Sequence, residues 1–136
     1  MAIKQIQAKA TYSLRHTVMW PDRPKNYVIL PNDGEGIHFG LFVDQTLTSI
    51  VSLFIENNAA QFRKLATAKE EQGKGYASML LTHVMEYAQR KKVNRIWCNA
   101  RTDKTTFYLK FGLNITNTSF TKGEIDYVVM EKIVIC

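Results

Sequence analysis

The sequence has few residues that could tie a small protein together covalently or through a metal. It contains only two cysteines, Cys98 within an apolar run and Cys136 at the last position. Structural metal sites usually show closely spaced cysteines and histidines, and that spacing does not occur here. We therefore expect ordinary thiols, no structural disulfide and no bound metal.

Long apolar runs are also missing. A bilayer-spanning helix needs about 20 consecutive apolar residues, and no such run occurs. The first 13 residues, MAIKQIQAKATYS, lack the apolar centre of a signal peptide. These two absences predict a cytoplasmic protein that does not associate with membranes. The length of 136 residues and the lack of any linker predict one domain over residues 1–136.

Acidic residues are in the minority, with 12 Asp and Glu against 18 Lys and Arg and a net charge of +6. Such a surplus favours an anionic partner, for example a nucleotide cofactor, a nucleic acid or an acidic surface. The basic residues are dispersed, and only residues 90–92 form a run. Because nucleic-acid grooves combine clustered basic residues with stacking aromatics, we expect no nucleic-acid partner. A solvated basic surface is the simpler interpretation.

Hydrophobic periodicity predicts alternating strands and helices. A strand at 61–67, a helix at 75–89 and a strand at 93–100 form a βαβ unit, so these two strands should be parallel. The three prolines fall within residues 21–36 and predict a loop there, with a short strand at 27–30. The remaining predictions are a strand at 3–10, helices at 11–20 and 103–110, and hairpins at 37–43 with 47–56 and at 113–119 with 125–135. Asp103 is the expected N-cap of the short helix and Gly112 its end.

Two glycines stand where the strand at 61–67 gives way to the long helix, in Gln72-Gly73-Lys74-Gly75-Tyr76-Ala77. Glycines at this junction let backbone N–H groups converge beside the positive end of a helix, which favours an anion. The pattern is neither a Walker A motif nor a dinucleotide fingerprint. Taken alone, it fits a bare turn as well as a phosphate site.

A second motif follows the βαβ unit: Phe107-Tyr108, then Lys110-Phe111-Gly112-Leu113. The two motifs in this order resemble the GNAT superfamily of acyl-CoA-dependent N-acetyltransferases. Residues 61–67, 96–101 and 38–40 are similar to a small bacterial subgroup whose substrates are mostly unassigned.

The resemblance implies an α/β fold (α+β by stricter usage), a three-layer α-β-α domain around a mixed, mostly antiparallel, twisted sheet. It implies transfer of an acetyl group from acetyl-CoA to a primary amine of a small molecule or peptide, by direct attack in a ternary complex. The alternative is a non-catalytic acyl-CoA sensor. Homodimers are common among similar proteins, so the oligomeric state stays open.

The resemblance also implies roles for particular residues. Tyr108 would protonate the departing CoA thiolate. Backbone groups of Leu65, Ala66 and Thr67 would pair with the pantetheine arm, with an oxyanion donor near Leu65. The pyrophosphate would be held by the backbone amides of Gln72, Gly73, Lys74, Gly75, Tyr76 and Ala77.

Several side chains have two interpretations. Lys110 either reaches a CoA phosphate or is an exposed lysine at a helix end. Asn99 and Arg101 occupy alternate positions near the carboxyl end of a strand, where polar residues often contact ligands. Asn99 is a candidate contact to the cofactor, and Arg101 is a candidate contact to the acceptor. Gln61 and Arg63, predicted to share a face with Leu65 and Thr67, line either the acceptor site or a solvated sheet face.

The base that deprotonates the amine stays open between Glu56, His38, Glu124, Asp126 and an ordered water chain. His38 is also a candidate acceptor-binding residue. Arg15, in the first helix, is interpreted as a surface arginine rather than one that recognises an anionic acceptor.

Overall fold

A computed structural model describes residues 1–134 of the chain. Its seven strands are β1 (Ala2–Ile6), β2 (Ile37–Val43), β3 (Thr46–Glu56), β4 (Ala59–Thr67), β5 (Arg95–Arg101), β6 (Asn114–Lys122) and β7 (Ile125–Ile133). The α-helices are α1 (Tyr12–Leu14), α2 (Tyr76–Arg90) and α3 (Thr105–Leu109). Short 3-10 turns occupy Ala8–Thr11, Lys25–Val28, Asp33–Glu35, Lys69–Glu71 and Thr102–Lys104, and a π-helical turn covers Arg15–Met19.

The strands are hydrogen-bonded in the order β1-β2-β3-β4-β5-β7-β6. The pair β4–β5 is parallel, as the βαβ pattern predicted. The pairs β1–β2, β2–β3, β5–β7 and β6–β7 are antiparallel. The predicted α/β fold with a mixed, mostly antiparallel sheet is therefore confirmed.

The chain forms two compact units, residues 1–54 with 63–84, and residues 55–62 with 85 onwards. Each has its own buried apolar side chains, and each such side chain contributes about 1.5–3 kcal/mol through burial. Those of the first unit come mainly from β2, β3 and α2: Leu41, Ile50, Val51, Leu53, Leu80, Leu81 and Val84. Those of the second include Ala88, Val93, Ile96, Leu113 and Met130.

Both predicted hairpins are present. Val43 lies opposite Thr46, which leaves Asp44 and Gln45 as a two-residue turn with φ of 50° and 68°. Two left-handed residues are typical of a type I′ turn, whose twist matches that of the flanking strands. The second hairpin joins β6 to β7. The last predicted strand residue, 135, and the predicted thiol Cys136 lie outside the described residues.

Four local predictions are wrong. The predicted strand at 27–30 is replaced by the 3-10 turn Lys25–Val28, which follows Pro24. The first strand ends at Ile6 and does not reach residue 10, because the 3-10 turn Ala8–Thr11 extends the first helical segment towards the N-terminus. Asp103 does not cap α3, since the turn Thr102–Lys104 includes it and Lys104 takes the N-cap position.

The fourth wrong prediction concerns Arg15, which is a fully buried residue rather than a surface arginine. Its partners belong to the polar network described below.

Candidate functional site

The loop before α2 has the backbone conformation that its two glycines suggested. Gly73 and Gly75 have φ of +83° and +86°, a left-handed region that favours glycine. A Cβ atom at either position would meet no atom within 4 Å. The glycines are therefore required by backbone conformation, and the space beside them is open. Gly75 also accepts the first hydrogen bond of α2, from the Met79 amide at 3.1 Å.

Side-chain hydrogen bonds hold this loop to the end of β4. Gln72 Nε2 donates to the Thr67 carbonyl at 3.0 Å, which fixes the start of the glycine turn. Thr67 Oγ1 in turn lies 2.9 Å from Ser49 Oγ on β3. The Lys74 ammonium pairs with Glu71, and the hydrogen bond to this carboxylate raises the pKa of Lys74. Glu71 thus offsets much of the charge that Lys74 brings to the loop.

β4 has an irregularity that the sequence did not indicate. Lys64, in the middle of the strand, has φ of +60°. Non-glycine residues in this conformation are uncommon, and in strands they often mark bulges beside functional sites. The regular alternation of faces ends there, because Ala66 and Thr67 are both buried in succession. That Gln61, Arg63, Leu65 and Thr67 share one face stays a prediction.

Tyr108 on α3 packs within an aromatic group of the second unit. Its ring centroid lies 5.7 Å from that of Phe62 and 5.2 Å from that of Phe107. Burial raises the pKa of Tyr108, Cys98 raises it further, and the positive charge of Arg101 acts in the opposite direction. The hydroxyl consequently keeps its proton at neutral pH, as a proton donor must.

The other site candidates of the second unit, Asn99 and Lys110 for the cofactor and Arg101 for the acceptor, differ in exposure. Asn99 and Lys110 are exposed and Arg101 is half-buried. The parallel pairing of β4 with β5 runs from Ala59 opposite Arg95 to Gln61 opposite Trp97. Asn99 and Arg101 therefore follow the part of β5 that pairs with β4, towards the carboxyl end of β5.

A buried polar network joins the first helical segment to β2 and β3. Arg15 Nη1 and Nη2 donate to the two carboxylate oxygens of Asp33 at 2.8 and 2.9 Å. Nη1 also donates to the Val28 carbonyl at 3.0 Å, and Nη2 to Ser52 Oγ at 2.9 Å. This explains why Arg15 is buried, since a buried charge needs a partner and hydrogen bonds.

The same network fixes the tautomer of His38. The Asp33 carbonyl, 3.0 Å from His38 Nε2, can only accept, so Nε2 carries the proton. His38 Nδ1 then accepts from the Ser52 hydroxyl at 2.7 Å, while Ser52 accepts from Arg15. His38 is 3% exposed, and its one lone pair is already engaged. It is therefore poorly placed to contact a substrate amine.

The structure does not assemble the other candidate bases into one cluster. Glu56 and Glu124 are exposed, and Asp126 accepts a hydrogen bond from Thr121 at 2.7 Å in the β6–β7 hairpin. Within residues 1–134, no group of three or more His, Cys, Asp or Glu is placed to hold a metal ion. None of the helices in that range is long and apolar enough to cross a membrane.

Comparison with known proteins relates this geometry to a family. A model of the acetyltransferase (GNAT) family matches residues 3–113. An uncharacterized N-acetyltransferase, YitI of Bacillus subtilis, is 30% identical over 142 residues, which cover 97% of this chain and 95% of YitI.

Two solved structures show that the fold is shared. An IAA acetyltransferase from Bacillus cereus superposes with a TM-score of 0.80 at 16% identity, over 98% of this chain and 99% of its own. A GNAT family acetyltransferase from Elizabethkingia anophelis, solved with acetyl-CoA bound, gives 0.79 at 15% identity, over 98% and 97%. The chain belongs to the GNAT family of acetyltransferases.

Proposed function

We propose that this protein transfers the acetyl group of acetyl-CoA to a primary amine by direct attack in a ternary complex. The observation that carries the proposal is the glycine turn, in which two left-handed glycines face open space immediately before α2. The first N–H groups of a helix have no partner within the helix, and the positive end of its dipole adds to their attraction for anions. This is the chemistry that a pyrophosphate requires.

The amides of residues 72–77 would hold the pyrophosphate of acetyl-CoA. We assign the main role to the backbone, because the ion pair with Glu71 offsets much of the charge of Lys74. The side chain of Gln72 would act indirectly, since its hydrogen bond to the Thr67 carbonyl holds the turn in place.

The pantetheine arm would pair with backbone groups of Leu65, Ala66 and Thr67 as an added strand. The left-handed φ of Lys64 supports this assignment, because such irregularities within strands are concentrated beside ligand and active sites. An N–H group near Leu65 would then polarise the thioester carbonyl. Asn99 and Lys110, both exposed, are proposed contacts to the cofactor.

In the transfer step, the neutral amine attacks the thioester carbon, and the C–S bond breaks as the amide forms. The nitrogen loses its proton to a base, and the sulfur takes a proton from the Tyr108 hydroxyl. The place of Tyr108 in the Phe107-Tyr108 motif supports this role, and burial, which raises its pKa, keeps the hydroxyl protonated until the thiolate appears. For the base we favour water, since the only lone pair of His38 is engaged.

Two measurements test the proposal. Titration calorimetry with acetyl-CoA should show binding in the micromolar range, and a panel of amines should release CoA thiol. No binding at millimolar acetyl-CoA would contradict the cofactor assignment. Binding without thiol release from any amine would favour the acyl-CoA sensor. Gel filtration with light scattering would test the homodimer.

A further inference from the structure

Arg63 on β4 is a half-buried cation without a counterion. It lies directly before the left-handed Lys64 and two residues before Leu65. Among residues 1–134, Arg63 takes part in no ion pair and no side-chain hydrogen bond. A fully solvated arginine needs no partner, but a partly desolvated guanidinium loses part of its hydration, and a bound anion is the partner that compensates this loss best.

The surroundings of Arg63 do not supply that anion. Its nearest charged influences are Arg15 and Asp33: burial lowers the pKa of Arg63, the charge of Arg15 lowers it further, and Asp33 raises it. Both carboxylate oxygens of Asp33 are already bonded to the terminal nitrogens of Arg15. Asp33 is thus the direct partner of Arg15, and Arg63 has no carboxylate of its own among the described residues.

The same unit also contains two buried N–H groups without an acceptor. In the described part of the chain, Arg15 Nε and Trp20 Nε1 are the buried side-chain atoms that lack a partner. Both are N–H donors and cannot accept. His38, in the Arg15–Asp33 network, has both ring nitrogens engaged. The complement to this region is a group that brings negative charge and acceptor oxygens.

The phosphates of acetyl-CoA would lie elsewhere under the proposed function. Arg63 precedes Thr67 by four residues, roughly 13 Å along a strand, and the phosphate turn follows Thr67. Pairing of pantetheine with residues 65–67 would direct the thioester towards Arg63 and away from the turn. Arg63 would therefore lie on the acceptor side of the acetyl group.

We propose that the acceptor amine carries a carboxylate and that Arg63 binds it. A planar guanidinium matches a carboxylate with two parallel hydrogen bonds, which selects this group over a neutral amide. The inference rests on the proposed acetyltransferase function and specifies its substrate class as amino acids or peptides with a free carboxylate.

The test compares matched acceptors. Amino acids, ω-amino acids and dipeptides, each beside its own carboxamide, are assayed with acetyl-CoA by thiol release. We expect turnover of at least one carboxylate form with a kcat/KM roughly 10- to 100-fold above that of its carboxamide. Arg63→Gln should remove this preference by lowering kcat/KM for the carboxylate form alone, and Arg63→Lys should restore part of it. Arg90→Gln, the same change at an exposed site at the end of α2, should leave the preference intact.

Different results identify which step has failed. Equal turnover of the two forms, turnover of neutral amines only, or an equal loss for both forms in Arg63→Gln would overturn the inference while the acetyltransferase function stands. Absence of acetyl-CoA binding, measured separately by calorimetry, would overturn the proposed function itself. The acetyl-CoA affinity of Arg63→Gln should match that of the parent chain, and a parallel loss of this affinity would place Arg63 on the cofactor instead.

Discussion

Arg15 and Asp33 form an end-on ion pair in which each terminal guanidinium nitrogen bonds one carboxylate oxygen, at 2.8 and 2.9 Å. Asp33 is 5% exposed and Arg15 is not exposed at all. The pair joins the first helical segment to the turn Asp33–Glu35, across a proline-containing loop with little regular structure of its own. Its contacts to Val28 and Ser52 extend that connection to a second turn and to β3.

Removing one partner of this pair should be costly. We expect Arg15→Met to lower the free energy of unfolding by about 3–5 kcal/mol, because the Asp33 carboxylate is left buried without its counterion. Urea denaturation at pH 7 measures the change. Arg95→Gln breaks an ion pair with Glu131 that is about one-third exposed, and it should cost less than about 1 kcal/mol. Similar losses in the two variants would contradict the structural role of the buried pair.

The same pair predicts how stability depends on pH. Burial by itself raises the pKa of Asp33, but the hydrogen bonds from Arg15 and the Leu30 amide and the charge of Arg15 together lower it. A pKa that is lower in the folded state contributes stability above the unfolded value, near 4, and this contribution disappears as pH falls through the folded value.

Between pH 5 and pH 2, Asp33→Asn should therefore lose less unfolding free energy than the parent chain, although it starts less stable. Parallel urea titrations at each pH measure the difference. Identical pH profiles for the two proteins would show that Asp33 has the same pKa in both states.

The phosphate turn can be tested with an isosteric pair. Asn and Asp both tolerate the left-handed conformation of Gly75 and differ mainly in charge. We expect Gly75→Asp to weaken acetyl-CoA binding about 10-fold or more relative to Gly75→Asn, because its carboxylate would oppose the pyrophosphate. Gly75→Glu should abolish binding.

Gly34 provides the control for that pair, since its Cβ would also meet open space, outside the turn. Calorimetry of Gly34→Asp should give the parent affinity for acetyl-CoA. Thermal unfolding confirms that each variant is folded. Equal affinities for Gly75→Asp and Gly75→Asn would reject the phosphate turn.

Tyr108→Phe removes a hydroxyl and keeps the ring contacts with Phe62 and Phe107. A general acid typically contributes 100-fold or more to the rate, so kcat should fall by about that factor with little change in acetyl-CoA affinity. Steady-state kinetics with the best acceptor from the amine panel measures both quantities. An unchanged kcat would remove Tyr108 from the mechanism, and a comparable loss of affinity would assign it to binding instead.

Local sequence patterns predicted the structural features that depend on residues close together in the chain. The apolar stripe of α2 and its start after Gly75 follow from helical periodicity, and the parallel β4–β5 pair follows from the short connections around it. The two motifs around the glycine turn and Tyr108 indicated the family from the sequence alone.

Local patterns did not predict which residues far apart in the chain contact each other. Nothing near Arg15 in sequence indicates that Asp33, 18 residues later, and Ser52, 37 residues later, complete its hydrogen bonds. The left-handed conformation of Lys64 gives no sequence signal either, since glycine or asparagine would be the expected residue there. Whether Arg63 is a solvated or a partly desolvated cation depends on what packs around β4.

The sequence by itself determined the βαβ unit, the two hairpins, the family and the residues of the glycine turn. These are set by periodicity, by backbone-permissive residues and by short motifs, all of which are local. Only the tertiary structure decided which charges are compensated. It neutralises Arg15 with Asp33, engages both nitrogens of His38 and leaves Arg63 without a partner among the described residues. Charge compensation depends on distance and burial in three dimensions, and chain order does not specify either.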